Sequence, residues 1–197
     1  MAETVFTAGV DETGRGCLAG PVYAAAVILP QRHGIRGLDD SKKLSALQRE
    51  KLVPKIESRA IAWAIGTASL EEIDRLNILH AALLAMRRAV ESLPVAPAGL
   101  KVDGIHAPPG VPCPVDTIIG GDAKVRSIMA ASILAKVARD AEMVRHHADF
   151  PDYCFDANKG YGTPDHLAAI QRIGPCALHR RRFGPIAQMS LMLEFED

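Results

Sequence analysis

Apolar residues recur along the chain in two rhythms. Val5 to Val10 and Val22 to Leu29 are nearly continuous apolar runs dense in Ala, Val and Ile, the pattern of buried strands. Ile61, Trp63 and Ile65 alternate within Ala60 to Ala68 and predict a third strand. Leu100 to Gly104 and Val115 to Ile119 predict two more, each running out into glycine and aspartate. Between them the period lengthens. Ser45 caps a helix over about residues 46 to 57, which Pro54 is expected to end or bend early. Ser69 with Glu72 forms a capping box before Leu70 to Arg75. Asn77 restarts the pattern, and Ile78 to Ser92 carries Leu79, Leu83, Met86 and Val90 on one face. The longest helix is expected from Ser127 to about His147, with Ala130, Ala131, Ser132 and Ala135 leaving room for close packing or a ligand. Asp149 to Asn158 reads as loop. Thr163 and Pro164 then open a helix that Gly174 and Pro175 stop, and Ile186 to Leu193 reads as a last short helix. Three strands linked antiparallel, followed by helix, strand, strand and helices, make an α/β fold with a mixed sheet.

Composition narrows the class without naming a chemistry. A chain of 197 residues with 48% hydrophobic and 23% charged content fits one domain, or one domain with an appendage beginning near Asp149. The 23 basic and 23 acidic residues balance, so no global field announces a polyanion. Local charge is uneven: Lys159, Arg172, Arg180, Arg181 and Arg182 face only Asp165 between positions 159 and 182. Such a basic stretch can dock a phosphate backbone, although a run like Arg180 to Arg182 alone reads as solvated surface. Cys17, Cys113, Cys154 and Cys176 form no CxxC pair, which predicts reduced thiols and argues against zinc. No basic leader is seen at the N-terminus and the longest apolar run is too short to span a bilayer, so a soluble, cytoplasmic protein is expected.

Candidate chemistry gathers where strands end. Asp11 and Glu12 close the first strand, and Asp103 and Asp122 follow the fourth and fifth. A lone aspartate in such a place is commonly a turn residue. Two adjacent carboxylates repel, and a divalent cation is the usual remedy. Four acids without matched His or Cys ligands favour Mg²⁺ or Mn²⁺. Gly14-Arg15-Gly16, directly after the pair, is neither a Walker A loop nor GxGxxG and by itself could be a plain turn. His80, on the apolar helix face, is expected in the core, and His146 and His147 at a solvated helix end.

Longer blocks carry a resemblance. Asp11 to Val22 (DETGRGCLAGPV) resembles the opening signature of the ribonuclease HII family, the type 2 ribonucleases H. Asp40-Ser41-Lys42-Lys43-Leu44, Glu72-Ile73-Asp74 with Asn77-Ile78, Val102-Asp103-Gly104 and Gly121-Asp122-Ala123-Lys124 resemble further family blocks. So do Ser127 to Val137 with Arg139-Asp140, Lys159 to Thr163 with His166, and His179-Arg180-Arg181, all in the family's order over about residues 8 to 185. Thr13 and Met129 stand where alanine is commoner, and Cys17 falls in a variable place. None of these departures touches a carboxylate.

The resemblance implies a ribonuclease H-like fold: a five-stranded mixed sheet flanked by helices, with a small helical C-terminal appendage. Residues 1–148 would form the catalytic domain and residues 149–197 a substrate-binding extension, unless both are one domain. It assigns Asp11, Glu12, Asp103 and Asp122 as the catalytic, metal-binding tetrad for Mn²⁺ or Mg²⁺. The implied activity is two-metal-ion cleavage of the RNA strand of RNA–DNA hybrids, and incision 5′ of ribonucleotides embedded in duplex DNA, leaving 3′-hydroxyl and 5′-phosphate. Gly14, Arg15 and Gly16 would read the ribose 2′-hydroxyl and Tyr161 would pack on the next deoxyribose. Ser41, Lys42, Lys124, Lys136, Lys159 and Arg180 are phosphate-binding candidates. The expected partner is nucleic acid, with no membrane and a monomer as the default; the sequence does not decide whether a sliding clamp is a further partner, and Leu191 to Phe195 reads as a helix packed on the core ahead of a peptide docking site. The rival readings are a ribonuclease HIII-like nuclease, a catalytically silent hybrid-binding module and a generic metal-dependent phosphatase.

Overall fold

The computed structural model describes residues 6–184 and 186–188. Five strands are present: β1 (Thr7–Thr13), β2 (Val22–Ile28), β3 (Ala62–Ala68), β4 (Gly99–Asp103) and β5 (Val115–Ile118). They form one sheet in the order β3-β2-β1-β4-β5. β1 pairs antiparallel with β2, which pairs antiparallel with β3, whereas β1–β4 and β4–β5 are parallel. β1 is therefore the strand where the sheet changes direction. The mixed sheet agrees with the expected fold.

Helices α1 (Ala46–Arg59), α2 (Leu70–Leu76), α3 (Ile78–Glu91), α4 (Arg126–Asp149), α5 (Phe155–Asn158) and α6 (Pro164–Ile173) surround it. Alternation along β1 and β2 divides the core in two. Val10, Ala24, Ala26 and Ile28 pack with Met86 and Val90 of α3 on one face. Ala25 and Val27 pack with Ile56 of α1 and Ile133 and Leu134 of α4 on the other. α4 lies unusually close to β1: a Cβ on Gly9 would sit 2.3 Å from the backbone of Ser127 and Ile128. Only glycine admits that approach, and it sets the start of α4 beside the acid-bearing end of β1.

Three expectations are corrected. α1 continues through Pro54 to Arg59: Pro54 and Glu50, whose carbonyl it leaves without a helical donor, are both exposed residues, while Leu52 and Ile56 hold the helix on the sheet. The segment 149–158 is not loop: a 3₁₀ turn at Pro151–Tyr153 and helix α5 bury Tyr153 and Phe155. His80 is exposed in the first turn of α3 instead of in the core. The proposed last helix, 186 to 193, falls largely outside the described residues, as does the whole 191–195 stretch. Residues after 149 join a third cluster, in which Tyr153, Phe155, Ala169 and Ile170 pack with Met143 of α4 and with Leu18 and Ala19 of the β1–β2 link. A bridge between Ala19 and His179 binds the same link to the C-terminal segment.

Candidate active site

Parallel pairing places Val10 beside Val102, so Asp11 and Asp103 each lie one residue further along neighbouring strands. Asp103 reaches past the end of β5, where its Oδ1 accepts hydrogen bonds from the Gly121 N–H at 2.7 Å and the Asp122 N–H at 3.3 Å. That contact draws the turn after β5 toward the acids. The site thus sits beyond the carboxyl ends of the parallel strands, next to the strand where direction reverses.

Asp11, Glu12 and Asp103 line one cavity of about 230 Å³, together with Gly14, Arg15, Ser41, Lys42, Arg49, Ser132, Lys136 and Tyr161. Asp11 is 5% exposed. Its pKa is raised well above the ordinary carboxylate range, chiefly by burial and then by the charges of Glu12 and Asp103, while a hydrogen bond from Ser132 opposes the shift. Glu12 pairs with Arg15 at 3.0 Å through Oε1, and its other oxygen, Oε2, is buried with no hydrogen-bond partner. Asp122 is buried beside the cavity and meets Lys42 Nζ at 3.0 Å. That hydrogen bond raises the pKa of Lys42.

The donor set consists of carboxylate oxygens, one of them orphaned, and suits a hard divalent cation such as Mg²⁺ or Mn²⁺. Among the described residues no group of three or more His, Cys, Asp or Glu side chains is arranged as a metal cage. Arg15 and Lys42 instead carry part of the charge balance.

The turn after β1 is braced from below. Gly14 has φ +91°, and a Cβ there would lie 2.2 Å from Arg139 Nε. Arg139 is fully buried and donates to the carbonyls of Ala19, Pro21 and Lys159. Arg180 is 1% exposed and donates to the carbonyls of Gly14, Arg15 and Gly20. Burial lowers its pKa to about 10, still cationic at neutral pH. The guanidinium that the sequence reading offered to a phosphate is thus occupied here by backbone carbonyls.

The other candidates divide. Ser41 is buried with its hydroxyl 2.8 Å from that of Ser132, and Lys136 lies 5.1 Å from the Tyr161 ring centroid while pairing with Asp140 at 2.7 Å. Lys124 donates to the Ile119 carbonyl at 2.6 Å and Lys159 to the Asp156 carbonyl; neither lines the cavity. Gly16 is exposed, and a Cβ there would meet nothing within 4 Å. Sequence reasoning missed Arg49, which lines the cavity and holds the preceding loop through the Ser41 and Leu44 carbonyls. It also missed Ser132 as a partner of Asp11, although the run of small residues in α4 was the visible sign of it.

A mixed five-stranded sheet with acids at the ends of its central parallel strands is the arrangement of the ribonuclease H class. A ribonuclease H2 from Pyrococcus horikoshii OT3 superposes with a TM-score of 0.80 at 25% identity, covering 96% of this chain and 99% of that one. A ribonuclease HII from Archaeoglobus fulgidus, solved in a complex with PCNA, gives 0.72 at 26% identity over 91% and 96%. The Ribonuclease HII family pattern matches residues 8–185, and a ribonuclease HII from Laribacter hongkongensis is 58% identical over 179 residues, 90% of each chain. The chain belongs to the ribonuclease HII family, a family of endoribonucleases. Among the described residues no helix is long and apolar enough to cross a membrane, and all four cysteines are free.

Proposed function

We propose that this protein cleaves the RNA strand of RNA–DNA hybrids and incises duplex DNA on the 5′ side of an embedded ribonucleotide. The observation that carries the reading is the shared cavity: Asp11, Glu12 and Asp103 open onto the same space as Gly14, Arg15 and Tyr161. Acids for hydrolysis and groups able to touch a sugar are within one nucleotide's reach. In the reaction a water oxygen adds to phosphorus and the P–O3′ bond breaks, leaving a 3′-hydroxyl and a 5′-phosphate. Asp11, Glu12, Asp103 and Asp122 would hold Mg²⁺ or Mn²⁺, which when bound would activate water and offset charge on the phosphate.

This chain's own residues then orient the strand. The exposed cations Lys42 and Arg15 and the partly buried Arg49 and Lys136 border the cavity and favour a phosphate there. At a single ribonucleotide the 2′-hydroxyl is the one handle that marks RNA. Backbone at Gly14 to Gly16 can approach a sugar closely, since Gly16 presents no side chain toward open space. Tyr161 is 37% exposed at the cavity wall and would pack on the following deoxyribose, disfavouring a ribose there. A DNA duplex containing one ribonucleotide, incubated with Mg²⁺ or Mn²⁺, should be cut once, directly 5′ of it. No incision, or equal cutting of all-DNA duplex, would refute the reading.

A further inference from the structure

Beneath Tyr161 two histidines form a buried pair that the chemistry above does not use. His166 is fully buried and His179 is 4% exposed, and their Nε2 atoms lie 3.0 Å apart. At one end, His166 Nδ1 is 2.8 Å from the Tyr161 carbonyl. At the other, the Cys176 N–H points at His179 Nδ1 over 2.9 Å. A carbonyl oxygen can only accept and a backbone N–H can only donate. The Cys176 N–H is the nearest partner of His179 Nδ1, ahead of the Cys176 Sγ at 3.2 Å and the Cys176 carbonyl at 3.3 Å, and with that end the chain carries its protons on His166 Nδ1 and His179 Nε2, both rings neutral. The rings sit in an aromatic cage, with Tyr153 4.9 Å from His179 and Phe155 5.4 Å from His166 between centroids.

We infer that His166 and His179 are positioning residues for sugar discrimination: their directional hydrogen-bond chain fixes the Tyr161 backbone and thereby where the Tyr161 ring meets the substrate. The chain runs Cys176 N–H to His179, His179 to His166, and His166 to the Tyr161 carbonyl. The Tyr161 ring lies 5.9 Å from the Arg139 guanidinium and 5.1 Å from Lys136 Nζ. His179 also precedes Arg180, whose guanidinium holds the Gly14 and Arg15 carbonyls. The turn that would read the ribose and the ring that would read the next sugar therefore hang from one dipeptide, His179-Arg180. A shift at that dipeptide moves both together, which keeps their spacing matched to successive sugars.

This inference rests on the proposed role of Tyr161, and the experiment separates the two. An asparagine at 166 places an amide N–H where Nδ1 donates, whereas a glutamine places its polar end toward His179 and withdraws the donor from the Tyr161 carbonyl. The readout is the ratio of kcat/KM on a duplex whose ribonucleotide is followed by deoxyribose to that on one where it is followed by ribose. In wild type this ratio should favour the deoxyribose. His166→Gln should lower it about tenfold, toward the value of Tyr161→Ala, while His166→Asn stays within about twofold of wild type. In a Tyr161→Ala background His166→Gln should change the ratio less than about twofold. Equal losses on both substrates, or indistinguishable Asn and Gln variants, would overturn the inference while leaving the Tyr161 reading intact. A wild type with no preference would overturn the Tyr161 reading, and this inference with it. ¹⁵N-histidine NMR of the unmodified protein at pH 7 should find His166 protonated on Nδ1 and His179 on Nε2; any other tautomers overturn the inference without recourse to a variant.

Discussion

Lys42 Nζ lies 3.0 Å from Asp122 Oδ2, joining the loop before α1 to the turn after β5 across 80 residues of sequence. The Lys42 side chain is 79% exposed, while that of Asp122 is 8% exposed. A pair with one end in water contributes little to folding, typically below about 1 kcal/mol. Lys42→Ala should therefore shift the urea midpoint only slightly, yet lower kcat/KM on hybrid substrate by about tenfold or more through loss of a cation beside the phosphate path. A variant with unchanged kinetics would show that Lys42 merely shields Asp122.

Asp103 separates structural from chemical duty. Asparagine retains the Oδ1 that accepts from Gly121 and Asp122, so the turn after β5 should hold its place. What is lost is charge. Asp103→Asn should keep the wild-type circular dichroism and melting behaviour but reduce Mg²⁺-dependent cleavage by roughly a thousandfold, about 4 kcal/mol of barrier. Near-normal turnover would remove Asp103 from the proposed tetrad.

Tyr161 sits at the cavity wall and is not one of the cations that border it. Tyr161→Ala should lower cleavage at an RNA-to-DNA junction by about tenfold or more while changing duplex binding at low salt by less than about threefold. Parallel losses in binding and cleavage would mark the ring as packing alone.

Arg180 illustrates what the linear order conceals. Alternating apolar residues announced the strands, and adjacent acids at Asp11 and Glu12 marked the candidate site, because both signals are local. Arg180 instead sits in a run of three arginines that reads as surface. Its burial follows from folding the link after β1 over the C-terminal segment, with carbonyl partners some 160 positions away. His166 and His179 stand in recognisable sequence blocks, but their pairing inside a cage of Tyr153 and Phe155 is hidden for the same reason. Pro54 misled in the opposite direction, since its missing N–H matters only where the facing carbonyl is dry. Arg180→Lys should lower stability by about 3 kcal/mol or more, because several buried carbonyls lose donors. The salt dependence of duplex binding should keep its slope; a slope reduced by about one would mean that Arg180 contacts a phosphate after all.

The buried histidine pair gives stability a pH signature with a definite sign. Burial, with the neighbouring His166 second, lowers the pKa of His179 from 6.5 to about 4, and burial lowers that of His166 as well. A histidine with a depressed folded-state pKa binds fewer protons folded than unfolded, so stability is full above about pH 6.5 and is lost as pH falls toward 4. For His179 the whole span corresponds to about 3 kcal/mol. Asp11 acts with the opposite sign, because its raised pKa favours the folded protein as it takes up a proton. The two effects overlap in mild acid, so wild type alone would not separate them. Urea melts of wild type and His179→Gln at matched pH values isolate the histidine: the variant should be less stable at pH 7, and the gap should narrow toward pH 4. A gap that stays constant with pH would show that His179 is not held neutral by its surroundings.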